Sequence, residues 1–226
     1  MDYGRVGALT DRIFDEIART GQALASGSRL KMLQLLAQGE RSVQDLAETA
    51  GLNLTTASAH LQALRNAGLV TSRRDGTKVI YRLAGEDVAT LLAVLCRVAE
   101  THRPEVRAEF AAVLPSDDLT LMSRKELVAA LKADEVVVLD VRPSDEFQAG
   151  HLPGALSIPL GELEVRLGEI PADIEIVAYC RGRNCVMSHD AVRLLNGQGY
   201  VAYLAEDGIA EWLAEGVRLT RPKARR

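Results

Sequence analysis

The sequence predicts two folded domains: a mainly helical domain with one β-hairpin, followed by an α/β domain with a central parallel sheet. Three observations lead to this fold class. Apolar residues recur at three- and four-residue spacing through the first hundred residues. Two strand-like runs flank Asp75-Gly76, which predicts a hairpin. In the second half, continuous apolar runs alternate with helical patterns, as in parallel sheets covered on both faces.

Composition limits the class of protein. The chain has 226 residues and is 47% hydrophobic, which suffices for two globular domains. No run of about 18 apolar residues and no apolar leader is present, so we expect a cytoplasmic protein without a membrane partner. The net charge of −4 means that any DNA affinity must come from a local cluster of cations and from dimerisation. We expect no cofactor.

The first half contains five predicted helices and the hairpin. Ser28 is the expected N-cap of the second helix, and Ser42 that of the third. Residues 52–54 are expected to form the turn before the fourth helix. The predicted helices are 9–19, one that starts after Ser28 and ends near Gly39, 43–49, 55–66 and 86–100, and the hairpin strands are 69–74 and 78–83.

Helix, turn, helix and a basic hairpin, in that order, form a winged helix-turn-helix, whose second helix enters the DNA major groove. The polar side chains of that helix and the cations of the hairpin are the candidate DNA contacts. They are Thr55, Thr56, Ser58, His60, Gln62 and Arg65 on the helix and Arg73, Arg74, Lys78 and Arg82 on the hairpin. The alternative is the solvated polar face of an ordinary helical domain.

The same residues resemble the ArsR family of dimeric bacterial repressors. The matching blocks are SRLKMLQLL (28–36), GERSVQDLA (39–47) and ASAHLQALRNAGLV (57–70), followed by 73–76 and 79–83. The resemblance implies operator binding as a homodimer through the first and last helices of the domain. The cysteines and paired ligands with which members of this family bind metals are missing near Ser42 and Asp87, so we expect no metal site. Cys96 is expected to be a packed core thiol.

After a linker over residues 101–117, the second domain is predicted to span 118–221, followed by a basic tail over 222–226. Its predicted strands are 135–140, 155–158, 174–179 and 200–204, and its predicted helices are 123–133, 162–167, 186–196 and 208–215, with a short helix or turn over 144–150.

Cys180 lies between a buried strand and a helix, at the start of a short polar loop. Loop amides and the positive end of a helix dipole favour a thiolate there, which is the nucleophilic form of cysteine. We therefore expect Cys180 to be ionised and accessible. With three cysteines in a reducing compartment, redox or catalytic thiols are more plausible than a disulfide framework.

The second half resembles the rhodanese family of sulfurtransferases. The matching motifs are VLDVR (138–142) with Glu146-Phe147, GHLPGA (150–155), VAYCRG (177–182) and GIAEW (208–212), although Asp207 replaces a common glycine. The resemblance implies that Cys180 takes a sulfane sulfur from a donor and forms a persulfide. The predicted anion-binding loop contains Arg181, Gly182, Arg183, Asn184, Cys185 and Val186.

Arg181 and Arg183 are expected to attract anionic donors such as thiosulfate, polysulfide or a low-molecular-weight persulfide. Asp140 and Arg142 are expected to brace the loop, with direct substrate contact as the alternative. Cys185 stands where many active rhodaneses have arginine. It is either a resolving thiol that attacks the Cys180 persulfide or a small buried residue at the helix start.

The sequence therefore predicts a homodimeric regulator that binds double-stranded operator DNA and senses or transfers sulfane sulfur through Cys180. One alternative is a thiosulfate or persulfide sulfurtransferase with an accessory DNA-binding domain. Another is a constitutive repressor with an inert rhodanese-like domain.

Overall fold

The computed structural model describes residues 3–114, 118–171, 173–182 and 185–221, in two compact units that divide between Val88 and Ala89. Residues 115–117, in the predicted linker, and the basic tail at 222–226 lie outside the described ranges. Within those ranges, no helix is long and apolar enough to cross a bilayer.

The first unit is helical with a small antiparallel sheet. Its elements are α1 (Tyr3–Leu24), α2 (Gly27–Ala37), β1 (Arg41–Ser42), α3 (Val43–Ala50), α4 (Leu54–Asn66), β2 (Val70–Asp75) and β3 (Lys78–Leu83). The strands follow the order β1-β3-β2. Leu33, Leu46, Leu61 and Leu64 have no exposed surface and fill the core between the helices. The predicted helix-turn-helix with a hairpin wing is confirmed.

Local hydrogen bonds set the ends of these helices. Ser42 and Asp45 form a reciprocal capping box at the start of α3. The hydrogen bond from the Ser42 hydroxyl lowers the pKa of Asp45. Asn53, which we had placed in a turn, caps α4 by accepting from the Thr56 amide. The predicted cap at Ser28 is wrong, because Ser28 lies inside α2 and Ser26 is the N-cap residue.

The hairpin turn also differs from the prediction by one residue. Asp75 pairs with Lys78, so the two residues between the strands are Gly76 and Thr77. Gly76 has a φ of 58°, a left-handed conformation that glycine adopts without steric cost.

The second unit begins within α5 (Glu86–His102), a helix that is continuous across the division between the units. The segment predicted as a linker contains α6 (Pro104–Val113). The remaining elements are β4 (Leu121–Met122), α7 (Arg124–Lys132), β5 (Val136–Asp140), α8 (Ser144–Ala149), β6 (Leu156–Ser157), α9 (Leu160–Leu163), a 3₁₀ turn (Leu167–Glu169), β7 (Glu175–Tyr179), α10 (Val186–Gly197), β8 (Ala202–Ala205) and α11 (Ile209–Ala214).

The strands of this unit form a parallel sheet in the order β4-β8-β7-β5-β6 among the described residues. Successive side chains of a strand point to opposite faces, so Val177 and Tyr179 pack on one side and Ile176 and Ala178 on the other. The helix predicted over 162–167 is wrong, since α9 ends at Leu163 and a 3₁₀ turn follows. The predicted parallel sheet is confirmed, and its carboxyl edge presents Asp140 and Cys180.

The two serines test the helix caps directly. We expect Ser42→Ala to lower the free energy of unfolding of the first unit by about 1 kcal/mol, because it removes the capping box. Ser28→Ala is the matched control and should change it by no more than a few tenths, since alanine is a good helix former. Urea denaturation followed by circular dichroism measures both. A larger loss in Ser28→Ala would contradict the assigned helix start.

Candidate functional site

The loop after β7 carries the candidate reactive cysteine. Cys180 and Cys185 are joined by a disulfide, with their Cα atoms 6.1 Å apart. Only 2% of Cys180 is exposed, so in this state it is neither a free nor an accessible thiol. The ionised, accessible thiolate expected from the sequence is therefore not present in this structure. The predicted loop residues Arg183 and Asn184 lie outside the described residues.

Backbone hydrogen bonds hold the described part of this loop. The Cys185 amide donates to the Gly182 carbonyl. The Cys185 carbonyl oxygen accepts from the Ser188 hydroxyl and lies 3.1 Å from Nδ1 of His189. Since the Cys185 amide bonds inside the loop, the full cradle of amides predicted from Arg181 to Val186 is not offered to an anion in the disulfide form. Val186 begins α10 and is 44% exposed.

The start of α11 is bonded to the same loop. The Ile209 and Ala210 amides donate to the carbonyl oxygens of Cys180 and Arg181, both at 3.1 Å. These are the first amides of a helix, which have no partner within it. The cysteine loop therefore satisfies the N-terminus of α11, and the two elements hold each other in place.

Gly208 makes this contact sterically possible. A Cβ atom at position 208 would lie 2.6 Å from the Cys180 carbonyl oxygen and closer still to the backbone of Gly182. Real side chains do not approach a backbone so closely. The Glu211 carboxylate completes the junction by accepting from the Gly208 amide at 2.9 Å.

Arg181 is tied to a buried carboxylate. Its guanidinium donates to both carboxylate oxygens of Glu146, which is 1% exposed and lies on α8. We had expected Arg181 to attract anionic sulfur donors. In this structure its charge is compensated by Glu146, and the pair anchors the loop to α8.

Asp140, Arg142 and Tyr179 form a buried cluster beneath the loop. Arg142 has no exposed surface and donates to both oxygens of Asp140 and to the Gly150 carbonyl. Burial lowers the pKa of Arg142, but the hydrogen bonds and charge of Asp140 outweigh it and leave the pKa raised.

The Tyr179 hydroxyl donates to Asp140 and accepts from the Leu152 amide. Burial and the neighbouring Asp140 carboxylate raise the pKa of Tyr179, so the phenol stays protonated as the donor. The cluster bonds the residue before Cys180 to the turn at Gly150–Leu152. This geometry favours support by Asp140 and Arg142 over direct contact with a substrate.

The first unit presents the candidate DNA contacts on α4 and the hairpin. On α4, Thr55, Ser58, Gln62 and Arg65 are exposed, and Thr56 and His60 are half-buried. Gln62 donates to Asn66 and Arg65 to the Ser72 hydroxyl.

On the hairpin, Arg73, Arg74, Lys78 and Arg82 are all exposed. Arg73 forms ion pairs with Glu40 at 2.9 Å and Asp75 at 3.1 Å, so part of its charge is already compensated. Arg82 donates to the Thr71 hydroxyl.

Comparisons with known proteins agree with both halves of the chain. The family model described as "Bacterial regulatory protein, arsR family" matches residues 26–72, and the rhodanese-like domain model matches 123–215. An HTH-type transcriptional regulator of Mycobacterium tuberculosis is 51% identical over 207 residues, which cover 91% of this chain and 90% of that protein. The chain belongs to the ArsR family of HTH-type transcriptional regulators. Within it, this chain is a form that carries a rhodanese-like domain.

Two further similarities each cover one half of this ArsR-family regulator. A sulfurtransferase of Allochromatium vinosum is 33% identical over 91 residues, which cover 40% of this chain and 83% of that protein. A solution structure of a homodimeric winged helix-turn-helix DNA-binding domain from Mycobacterium bovis is 55% identical. The matched region covers 42% of this chain and 88% of the solved chain, with a TM-score of 0.40.

Sequence reasoning missed several residues of this ArsR-family regulator that shape its site. Glu146, Gly208 and Glu211 lie in the quoted rhodanese-like motifs, but no role was assigned to them. The signal was available for Glu211, since a carboxylate three residues after a helix cap often bonds the cap amide. Leu54 was placed in a turn, yet it is the first residue of α4 and is 48% exposed.

The stabilising role of the buried Tyr179 hydroxyl can be tested against that of Tyr203, whose hydroxyl bonds an exposed carboxylate. We expect Tyr179→Phe to lower the free energy of unfolding by about 1–3 kcal/mol, because Asp140 and the Leu152 amide lose a buried partner. The control Tyr203→Phe removes a hydroxyl that bonds the exposed Glu175, and should cost less than about 0.5 kcal/mol. Urea denaturation of both variants measures the difference. Equal losses would contradict a supporting role for Tyr179.

Proposed function

We propose that this protein is a homodimeric, DNA-binding transcriptional regulator whose rhodanese-like domain senses sulfane sulfur through Cys180. The observation that carries the proposal is the pairing of Cys180 with Cys185 across one short loop, in a chain that also has an ArsR winged helix. A loop whose two thiols can bond has two covalent states, and a sensor requires two states.

The proposed chemistry starts from the dithiol form. The Cys180 thiolate attacks the outer sulfur of a donor persulfide, R–S–SH. The donor S–S bond breaks, RS⁻ leaves, and Cys180 becomes a persulfide. The Cys185 thiolate then attacks the inner sulfur, which is that of Cys180. The Cys180–Cys185 bond forms, and hydrosulfide leaves with the electron pair. The donor sulfur is thereby reduced to hydrosulfide, and the two thiols are oxidised to the disulfide.

The same geometry favours a sensor over a sulfurtransferase. A transferase must keep its persulfide until an acceptor arrives, whereas Cys185 lies close enough to discharge it. The similarity to a sulfurtransferase over the second half supports sulfur uptake by Cys180 and keeps the enzyme as the second candidate. Because Glu146 already compensates the charge of Arg181, this arginine gives no preference among anionic donors, and we propose a polysulfide or a low-molecular-weight persulfide as the donor.

Exposed apolar residues support the proposed homodimer. On α1, Ile13, Phe14 and Ile17 are each more than half exposed and recur at helical spacing. On α5, Leu91, Val94 and Val98 are exposed at the same kind of spacing. A second copy of the chain would remove these side chains from water. Two copies would also present two α4 helices and two hairpins to operator DNA. The doubled set of local cations would offset the negative net charge of the chain, which by itself disfavours DNA binding.

Arg74 tests the proposed contact with DNA phosphate. We expect Arg74→Ala to reduce the slope of log affinity against log salt by about 1 for each bound subunit, because one cation fewer displaces counterions. Arg73→Ala should have a smaller effect, since Glu40 and Asp75 already compensate its charge. Fluorescence anisotropy with a labelled DNA duplex measures both slopes. An unchanged slope in Arg74→Ala would contradict the proposed contact between this hairpin residue and DNA phosphate.

Sulfur sensing is tested with an operator selected from random duplexes. After polysulfide treatment of the reduced protein, we expect its operator affinity to shift about tenfold, within the usual range of coupling between sites. Cys180→Ser should show no shift. Cys185→Ser should gain one sulfur atom on Cys180, detected by mass spectrometry of the 180–185 peptide, but form no disulfide and show no shift. Cys96→Ser is the control and should respond like wild type.

Two outcomes would overturn the proposal. An equal shift in wild type and Cys180→Ser would place the reactive group elsewhere. Turnover of persulfide with an unchanged operator affinity would favour the sulfurtransferase.

A further inference from the structure

The second unit contains a cavity of about 240 Å³ that connects the loop junction to α5. The part of α5 that belongs to this unit lines it with Ala93, Cys96 and Arg97, and the opposite wall includes Asp207 and Glu211. The cavity therefore brings the long helix shared by both units next to the short helix that is bonded to the cysteine loop.

Glu211 is common to the loop junction and to this cavity. On the loop side, its carboxylate bonds the Gly208 amide, and both of its oxygens would lie 3.3 Å from a Cβ atom at Gly182. On the cavity side, it lies near enough to Cys96 to act on that thiol. Burial raises the pKa of Cys96, and the negative charge of Glu211 raises it further. One carboxylate thus contacts the loop and influences α5.

We propose that Glu211 and the N-terminus of α11 transmit the covalent state of the Cys180–Cys185 pair to α5. This rests on the proposed function of the pair and names the route by which it would regulate the first unit. Glu211 is a positioning residue in this route, since it acts on the loop and on α5 without touching the reacting sulfurs.

The route is stiff at the loop end. The Cys180 and Arg181 carbonyls accept from the first amides of α11, and Gly208 leaves no flexible side chain between the backbones. When the disulfide is reduced, the covalent constraint between Cys180 and Cys185 is lost, and any displacement of Cys180 must either carry α11 with it or break these hydrogen bonds. Glu211 is the third residue of the six-residue helix α11, so it lies in the first turn, next to these bonds.

The far end of the route is a helix and not a surface loop. α5 runs from Glu86 to His102, and the division between the two units falls within it, between Val88 and Ala89. A shift of Glu211 would change the charge that faces Cys96 and the packing of α5 at this cavity. Packed helices that have two arrangements are a common basis of coupling between sites.

Cys96 supplies the reporter for the test. The full-length protein is prepared in the disulfide and dithiol forms, pulsed briefly with iodoacetamide and digested, and the alkylated Cys96 peptide is quantified by mass spectrometry. We expect the rate of Cys96 alkylation to differ by about fivefold between the two forms, the lower end of usual coupling. Equal rates in both forms of the wild type would overturn the proposal.

Three variants isolate Glu211. Glu211→Ala should abolish the difference between the two forms. Glu211→Gln should retain part of it, because its amide oxygen still accepts from the Gly208 amide while its charge no longer faces Cys96. Glu215→Gln is the matched control, since Glu215 lines the same cavity and pairs with Arg124 but has no bond to the described part of the loop, and it should retain the full difference. A difference that persists in Glu211→Ala would exclude this route.

The outcome separates this proposal from sensing itself. If polysulfide shifts operator affinity through Cys180 while Cys96 reactivity stays the same in both forms, sensing stands and the α11 route fails. If Cys96 reactivity follows the state of the cysteine pair but operator affinity does not, the route stands and the proposed function fails.

Discussion

The contact between the cysteine loop and the start of α11 is the constraint on which the candidate site depends. It exists because position 208 has no side chain and because the loop carbonyls satisfy the first amides of the helix. Unpaired buried amides are costly, so neither element can move alone without losing hydrogen bonds. In the proposed route, a change at Cys180 is therefore transmitted to α11 through these hydrogen bonds.

The buried ion pairs of the site hold its loops in position and do not take part in the sulfur chemistry proposed for Cys180. Arg142 and Asp140 are fully buried as a pair, and Arg181 is held by the buried Glu146. Such pairs add little net stability, but removing one partner leaves a charge without compensation. They therefore oppose alternative arrangements of the loop. The consequence is that, among the described residues of the disulfide form, the charges of Arg142 and Arg181 are both compensated by buried carboxylates.

The fold followed from the sequence because its signals are local. Helical spacing, the Ser42 capping box and the alternation of apolar runs with helices each act within a few residues, and the predicted elements are largely confirmed. The site was less predictable. The motif located Cys180, and the departure at Cys185 suggested the pair. The pairing of Arg181 with Glu146 and the approach of Gly208 depend on distant segments meeting in space, which no local pattern encodes.

In the proposed sensor, the Cys180–Cys185 bond joins two ends of the loop that neighbouring elements already hold. The Ser188 hydroxyl and the His189 ring contact the Cys185 carbonyl at its end, and the first amides of α11 bond the carbonyls of Cys180 and Arg181 at its start. In the proposed mechanism, the bond between the two sulfurs adds a constraint between these two held ends, so its formation and loss give the site two covalent states. Discrete alternatives of this kind allow a small chemical change to alter a distant equilibrium, because packed elements do not deform continuously.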